Sequence, residues 1–245
     1  MHRFFVRENF APQMTITGKD AYHITKVLRM QVGEQVQIVS LDQVSALMKI
    51  ASVTGDEVSI VLEELLPGVN EPRTKLLLAQ GLPKGDKFDF VTQKAVELGV
   101  STIIPVALDN CVVQLKGEKA EKKVSRWQKI AEETAKQAKR DIIPTVAPVS
   151  TLAELVMATE HIQLKILAYE VEDKLGLRQV LSDNAEAESV AILIGPEGGI
   201  SKDEYTYLRA HGWQSVSLGR RILRTETACI ATLAAVLYAS GDFGG

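Results

Sequence analysis

Cysteine is scarce in this 245-residue chain: Cys111 and Cys229 are the only two, far apart and without metal-ligand spacing. Neither a disulfide framework nor a thiolate metal site is therefore expected. The four histidines, His2, His23, His161 and His211, are as scattered, and no structural metal is expected. Long apolar runs are missing too, so no helical membrane span is expected. The opening segment Met1 to Glu8 lacks the apolar stretch of a secretory signal, which makes the cytoplasm the expected compartment. Neither the phosphate-binding loop that ends in Lys-Ser or Lys-Thr nor the dinucleotide Gly-x-Gly-x-x-Gly turn is present, so ATP or NAD bound in the usual way is not expected. A formal net charge of −3 argues against a uniformly basic nucleic-acid coat.

With 46% hydrophobic residues, the chain can build one large or two modest cores. The first seventy residues read as β-rich. Glu34 to Ser40, Val44 to Val53 and Glu57 to Leu65 are apolar or alternating runs broken at Asp42-Gln43 and Gly55-Asp56. A short helix is predicted around Thr25 to Leu28. Leu66 to Pro72 has the residues of a linker, which predicts one domain over residues 1–70 and another over 73–245. Beyond it, Lys75 to Leu82, Thr102 to Leu108, Leu164 to Tyr169, Val190 to Gly195 and Ser215 to Leu218 alternate with helical stretches such as Phe88 to Leu98. That texture predicts an α/β domain with a mostly parallel sheet and helices on both faces.

Positive charge is concentrated in two places. Met1 to Gln31 carries five basic residues against two acidic ones, and Lys116 to Arg140 carries nine against four. In a helix from about Ala120 to Arg140, Val124, Trp127, Ala131, Ala135 and Ala138 share one face. Lys122, Arg126, Lys129, Lys136 and Arg140 cluster opposite. Such a row is either a solvated face or a track for a phosphate backbone. The last helix, predicted from Thr227 to Ser240, is apolar nearly all round, which requires burial on more than one side, in the core or against a second subunit. Cys229 within it reads as a packed small residue.

Two short segments hold most of the chemistry: Ile194-Gly-Pro-Glu-Gly-Gly-Ile-Ser201, and Leu218-Gly-Arg-Arg-Ile-Leu-Arg-Thr-Glu-Thr-Ala228. Each follows a predicted strand and leads into a helix, the first through a Ser201/Glu204 capping box. Loops at the carboxyl ends of parallel strands form the crevice where α/β sheets bind ligands, and their glycines let the main chain approach one.

This pair of loops resembles those of the knotted SPOUT methyltransferases. Within them the chain is similar to the ribosomal small-subunit methyltransferase E family, a likeness also carried by His23 to Arg29, Glu97 to Val100 and Arg126-Trp127. Glu132 to Arg140 is more lysine-rich than the family pattern. The resemblance implies methylation of N3 of a uridine in 16S rRNA, with S-adenosylmethionine as cofactor. It also implies a small N-terminal PUA-like barrel that binds RNA, a C-terminal domain with a deep trefoil knot, and a homodimer. Naked 16S rRNA and the assembled small ribosomal subunit are both open as substrate. Carried over position by position, the cofactor would meet Tyr169, Glu170, Ile194, Gly195, Glu197, Gly198, Gly199, Leu218, Gly219, Arg221, Ile222, Leu223, Thr227 and Ala228. RNA contacts are expected from Arg3, Arg7, Lys26, Arg29, Lys122, Arg126, Lys129 and Arg140. Uracil N3 becomes nucleophilic only as its proton leaves, so a base and an oxyanion stabiliser are needed. Arg224 is the candidate stabiliser, and Glu197 or Glu226 the candidate base. Two alternatives stay open: a SPOUT enzyme for another RNA position or a ribose 2′-hydroxyl, and a non-catalytic RNA-binding assembly factor.

Overall fold

A computed structural model describes residues 2–68 and 70–243. Val69, inside the predicted linker, and residues 1, 244 and 245 lie outside the described residues. The chain divides into two compact units, Met1–Glu71 with Lys139–Ile142, and Pro72–Ala138 with Ile143–Gly245.

The first unit is a curled, mostly antiparallel sheet. Its strands are β1 (Arg3–Phe5), β2 (Gln13–Ile16), β3 (Gln35–Val39), β4 (Ser45–Thr54) and β5 (Glu57–Leu66), in the order β1-β3-β4-β5-β2. Among the described residues only the β1–β3 pair of this sheet is parallel. Alternation puts Val36, Ile38, Ala46, Met48, Ile50, Val58 and Ile60 into one buried cluster, as a half-buried strand requires. Burying each large side chain contributes about 1.5–3 kcal/mol. The predicted short helix is longer and less regular than expected. Helix α1 (Gly18–Tyr22) runs into a π-helical turn over His23–Val27, and Arg29 then turns the chain at φ +54°.

The segment 139–142 belongs to this unit because buried ion pairs hold it there. Asp141 accepts hydrogen bonds from the Arg3 guanidinium at 3.0 Å, the Ser45 hydroxyl at 2.8 Å and the Asn70 N–H at 2.9 Å. Glu71 binds the Arg140 guanidinium and the main-chain N–H of Asp141. Burial works against the Asp141 carboxylate, but these donors outweigh it and hold its pKa below the usual carboxylate range. The expectation that Arg3 and Arg140 face RNA is corrected here. Both are buried, at 8% and 2% exposure, and their charge is answered inside the protein. Arg7, Lys26 and Arg29 are exposed.

The second unit holds six parallel strands, β6 (Lys75–Gly81), β7 (Thr102–Val106), β8 (Thr145–Val146), β9 (Leu164–Ala168), β10 (Ser189–Ile194) and β11 (Gln214–Val216), in the order β11-β9-β10-β6-β7-β8. Strands buried on both faces read as continuous apolar runs, and Val190–Ile194 in β10 is buried throughout. The helices are α2 (Lys87–Glu97), α3 (Gly117–Gln137), α4 (Leu152–Ala158), α5 (Leu177–Asp183), α6 (Lys202–Ala210) and α7 (Thr225–Ala239). Helix α2 packs against α3 and α7, with the Phe88 and Trp127 rings 4.0 Å apart.

Two helices differ from the sequence reading. Helix α3 stops at Gln137, not Arg140, because Lys139 adopts φ +56° and breaks the helical path. Its predicted faces hold otherwise: Trp127, Ala131 and Ala135 are buried, while Lys122, Arg126 and Lys129 are exposed. Helix α7 buries Ala228, Cys229, Leu233, Val236 and Leu237 but leaves Thr227, Ala231 and Tyr238 exposed, Tyr238 at 74%. Within one chain it is covered on one side only. No helix among the described residues is long and apolar enough to cross a membrane.

Candidate active site

Both glycine-bearing loops open at the carboxyl ends of the parallel strands, the first after β10 and the second after β11. Although β11 is the edge strand, the chain then returns across β9 to the middle of the sheet. Thr225, the first residue of α7, donates its hydroxyl to the Gly195 carbonyl at 2.7 Å and accepts from Gln80 Nε2 at 2.9 Å. Gln80 is fully buried at the end of β6 and also donates to the Gly81 carbonyl at 3.0 Å. A polar side chain buried this deeply is costly unless bonded, and its bonds join three chain segments. They bring the two loops to one cavity of about 410 Å³.

The cavity gathers most of the predicted residues. Tyr169, Glu170, Ile194, Gly195, Glu197, Gly199, Leu218, Gly219, Arg221, Ile222, Leu223, Arg224 and Ala228 line it. Gly198, Thr227 and Glu226 do not. Gly198 is a glycine for another reason: a Cβ there would lie 2.9 Å from Asn110 Cβ and from its carbonyl oxygen. Asn110 in turn donates to the Gly198 carbonyl at 3.0 Å. Gly219, by contrast, has φ +104° with nothing within 4 Å of a built Cβ, so its main chain is bare toward the cavity. The Tyr169 ring, at the end of β9, stacks on Tyr205 at 4.5 Å, which fixes that wall. The predicted capping box is present: Ser201 accepts from the Glu204 N–H at 3.2 Å, and Glu204 accepts from the Ser201 N–H at 2.8 Å.

The sequence reading missed Lys87, which also lines the cavity. Its ammonium lies 2.7 Å from Glu197 Oε1 and 3.7 Å from Glu226 Oε2. The hydrogen bond to Glu197 raises the Lys87 pKa. Burial opposes ionisation of Glu197, yet Lys87, its own main-chain N–H and that of Lys84 outweigh it and hold the carboxyl below its ordinary range. Glu197 is thus a tied carboxylate with a weakened hold on protons. Glu226, in the first turn of α7, has its Oε2 shut off from solvent and accepting no hydrogen bond among the described residues. Arg224 occupies the N-cap of α7 with an exposed side chain. Neither cysteine is poised as a nucleophile, since burial pushes the Cys229 thiol up to about 12 and also raises that of Cys111.

These features define an α/β ligand site of the methyltransferase kind, as sequence comparison bears out. Residues 70–237 match the family described as RNA methyltransferase domain, and residues 16–63 match the RNA methyltransferase PUA domain. The chain belongs to the ribosomal RNA small subunit methyltransferase E family. It is 36% identical to the protein of that name from Bacillus subtilis, over 97% of this chain and 96% of the relative. The Neisseria gonorrhoeae protein of the same name, solved bound to S-adenosyl methionine, is 30% identical with a TM-score of 0.85, covering 100% of both chains. A Legionella pneumophila protein solved with bound cofactor SAM is 31% identical with a TM-score of 0.84, covering 97% of each.

Proposed function

We propose that this protein methylates N3 of a uridine in 16S rRNA of the small ribosomal subunit, with S-adenosylmethionine as methyl donor. The observation that carries this reading is the cavity made by both glycine-bearing loops, in a chain similar over 97% of its length to a ribosomal RNA small subunit methyltransferase E. The cofactor suits the cavity. Main-chain groups of 218–223 can hold a flat adenine, Gly219 leaves bare backbone where a Cβ would stand, and the Glu170 and Glu197 carboxylates answer a cationic sulfonium. When bound, the cofactor supplies an electrophilic methyl group. The protein must do the rest: present an unpaired uracil, remove the N3 proton, and stabilise the charge that develops on O2 and O4. Arg224 is the donor for that charge. Of the two carboxylates, Glu197 lines the cavity but is already bound to Lys87 and Lys84, so Glu226, behind the lining, is the better proton acceptor, reached through a water.

Three further parts of this reading have structural support. The return of the chain from β11 across β9 to Thr225 fits a knotted threading of α7. The curled sheet of the first unit fits a PUA-like barrel. The exposed Thr227, Ala231 and Tyr238 face of α7 fits burial against a second copy, giving a homodimer. We place the protein in the cytoplasm, where ribosomal subunits are assembled.

Transfer of labelled methyl from S-adenosylmethionine to 16S rRNA or small subunits, followed by nucleoside mass spectrometry, tests the activity. The expected product is 3-methyluridine. A methyl group on another base or on ribose would replace this reading with that of a related enzyme, and binding without transfer would make the protein an assembly factor.

The cofactor site is tested by Gly219→Val, which forces a β-branched residue to φ +104° and points it at the cavity. Calorimetry is expected to show an affinity for S-adenosylmethionine at least tenfold weaker in a protein that stays folded, at a melting temperature lowered by the backbone strain; unchanged affinity would refute the assignment. Gly198→Val is expected to lower the melting temperature as well, through Asn110.

Lys122 and Lys129 on α3 carry the RNA test. Arg126 is left alone because its guanidinium binds Asp89, which also holds the Trp127 indole N–H at 3.0 Å. Reversing both lysines to glutamate should weaken RNA binding and reduce the salt slope by roughly 0.7–0.9 per lost phosphate contact, without moving cofactor affinity. The parent's slope in the double variant would leave the row a solvated face.

A further inference from the structure

Two carboxylates and one lysine meet where the loop after β10, the start of α2 and the first turn of α7 converge. Glu197 comes from the first, Lys87 from the second and Glu226 from the third. The Lys87 ammonium is 2.7 Å from Glu197 Oε1 and 3.7 Å from Glu226 Oε2, so it is the cation shared by the pair. Other charges face the group from each side. Arg224 stands two residues before Glu226, the Lys84 N–H donates to Glu197 at 3.2 Å, and Asp86 at the α2 N-cap pairs with Lys123 of α3 at 3.8 Å.

Two carboxylates that share a site without a counterion do not both stay ionised, because each disfavours the other's charge. A protonated carboxyl cannot serve as a base. We propose that Lys87 is a positioning residue for proton removal, holding Glu197 and Glu226 ionised side by side so that Glu226 is ready to receive the uracil N3 proton. This rests on the uridine-N3 reading above. In the step, the N3–H bond breaks, its electron pair stays on N3, and the proton passes through a water to the Glu226 carboxylate, which stands behind the cavity lining with its side chain 18% exposed, and from there returns to solvent. Lys87 neither donates nor accepts a proton. Glu197 completes the arrangement by fixing the ammonium, which its own bonds to the Lys84 N–H hold over the cavity.

The test follows the carboxyls themselves. Protein labelled with ¹³C at the glutamate carboxyl is titrated by NMR as the parent, Lys87→Met and Lys87→Arg, with Glu197→Gln and Glu226→Gln used for assignment. In Lys87→Met, one of the two carboxyls is expected to protonate about one pH unit or more higher. The acidic limb of kcat/KM should rise with it, since the ionised base is then lost at a higher pH. Lys87→Arg, which keeps the charge, should restore both. Unchanged titration of both carboxyls in Lys87→Met, or a uniform loss of rate with the limb in place, would overturn the proposal. Absence of 3-methyluridine from the parent reaction would instead overturn the uridine reading, and the carboxyl titration reads the Lys87 pairing in either case.

Discussion

Replacing Arg224 by alanine is expected to lower turnover by about a hundredfold or more, the scale lost when one oxyanion donor is removed. Cofactor affinity should change little. In the proposed reaction, negative charge spreads to the uracil carbonyl oxygens as the N3 proton leaves, and a donor beside them stabilises that charge more than it stabilises the neutral base. Arg224 is placed for this role: it is the N-cap residue of α7, its backbone is extended at φ −64° and ψ 153°, and it lines the cavity. A loss confined to the transition state lowers kcat and kcat/KM together, whereas a loss of substrate binding raises KM. Arg224→Lys is the sharper control because lysine keeps the charge and loses the planar fork. If proton loss limits the rate, raising the pH should partly restore the alanine variant. Near-normal turnover in both variants would move the search to Arg220 and Arg221 on the same loop.

Asp141→Ala is expected to destabilise the first unit by about 3–5 kcal/mol, the range for removing one partner of a buried ion pair. The Arg3 guanidinium, at 4% side-chain exposure, would be left charged without its carboxylate, and the Ser45 and Asn70 donors would lose their acceptor. The double variant Arg3→Met/Asp141→Leu should recover much of the loss, since it leaves no charge behind. Hydrogen exchange of the β3, β4 and β5 amides measures the effect in the intact chain; parent-like protection in Asp141→Ala would show that the pair contributes nothing. The pH dependence has a definite sign. The folded pKa of Asp141 is depressed, so its contribution is present above the ordinary carboxylate pKa of about 4 and fades as pH falls through the lower folded value. Asp141→Ala should therefore flatten acid unfolding below about pH 4.

The strands and the two ligand loops were legible because each rests on a local pattern. Apolar runs bounded by turn residues located β3 to β7 and β9 to β11 to within a residue or two, and both loops announced themselves through glycines after such runs. Short elements were not legible. The strand Arg3–Phe5 has too few residues for a period to show, and Thr145–Val146 is only a pair. The end of α3 was missed because nothing in Lys-Gln-Ala-Lys-Arg marks Lys139 as the residue that turns to positive φ. Within the site, what escaped was every group whose meaning lies in a distant partner. Lys87 reads as an ordinary first-turn lysine until Glu197 and Glu226 stand beside it. Gln80 offered the one usable clue, a lone polar residue near the end of an otherwise apolar run. Counting charge misled for the same reason, since Arg3 and Arg140 add to the basic totals while Asp141 and Glu71 neutralise them in space.

The return of 139–142 to the first unit has a consequence for dissecting the protein. The order of the chain and the division of the fold do not coincide, so no single cut yields two complete halves. A fragment ending at Glu71 would keep Arg3 and Ser45 but lack the aspartate that joins them. The remainder would carry Arg140 and Asp141 as a charged loop stripped of its seat. Grafting the amino-terminal unit onto another enzyme would therefore need a four-residue patch from the far end of α3, or substitutions that make Arg3 and Glu71 indifferent to its loss. Shuffling of these units by simple end-to-end fusion is correspondingly disfavoured.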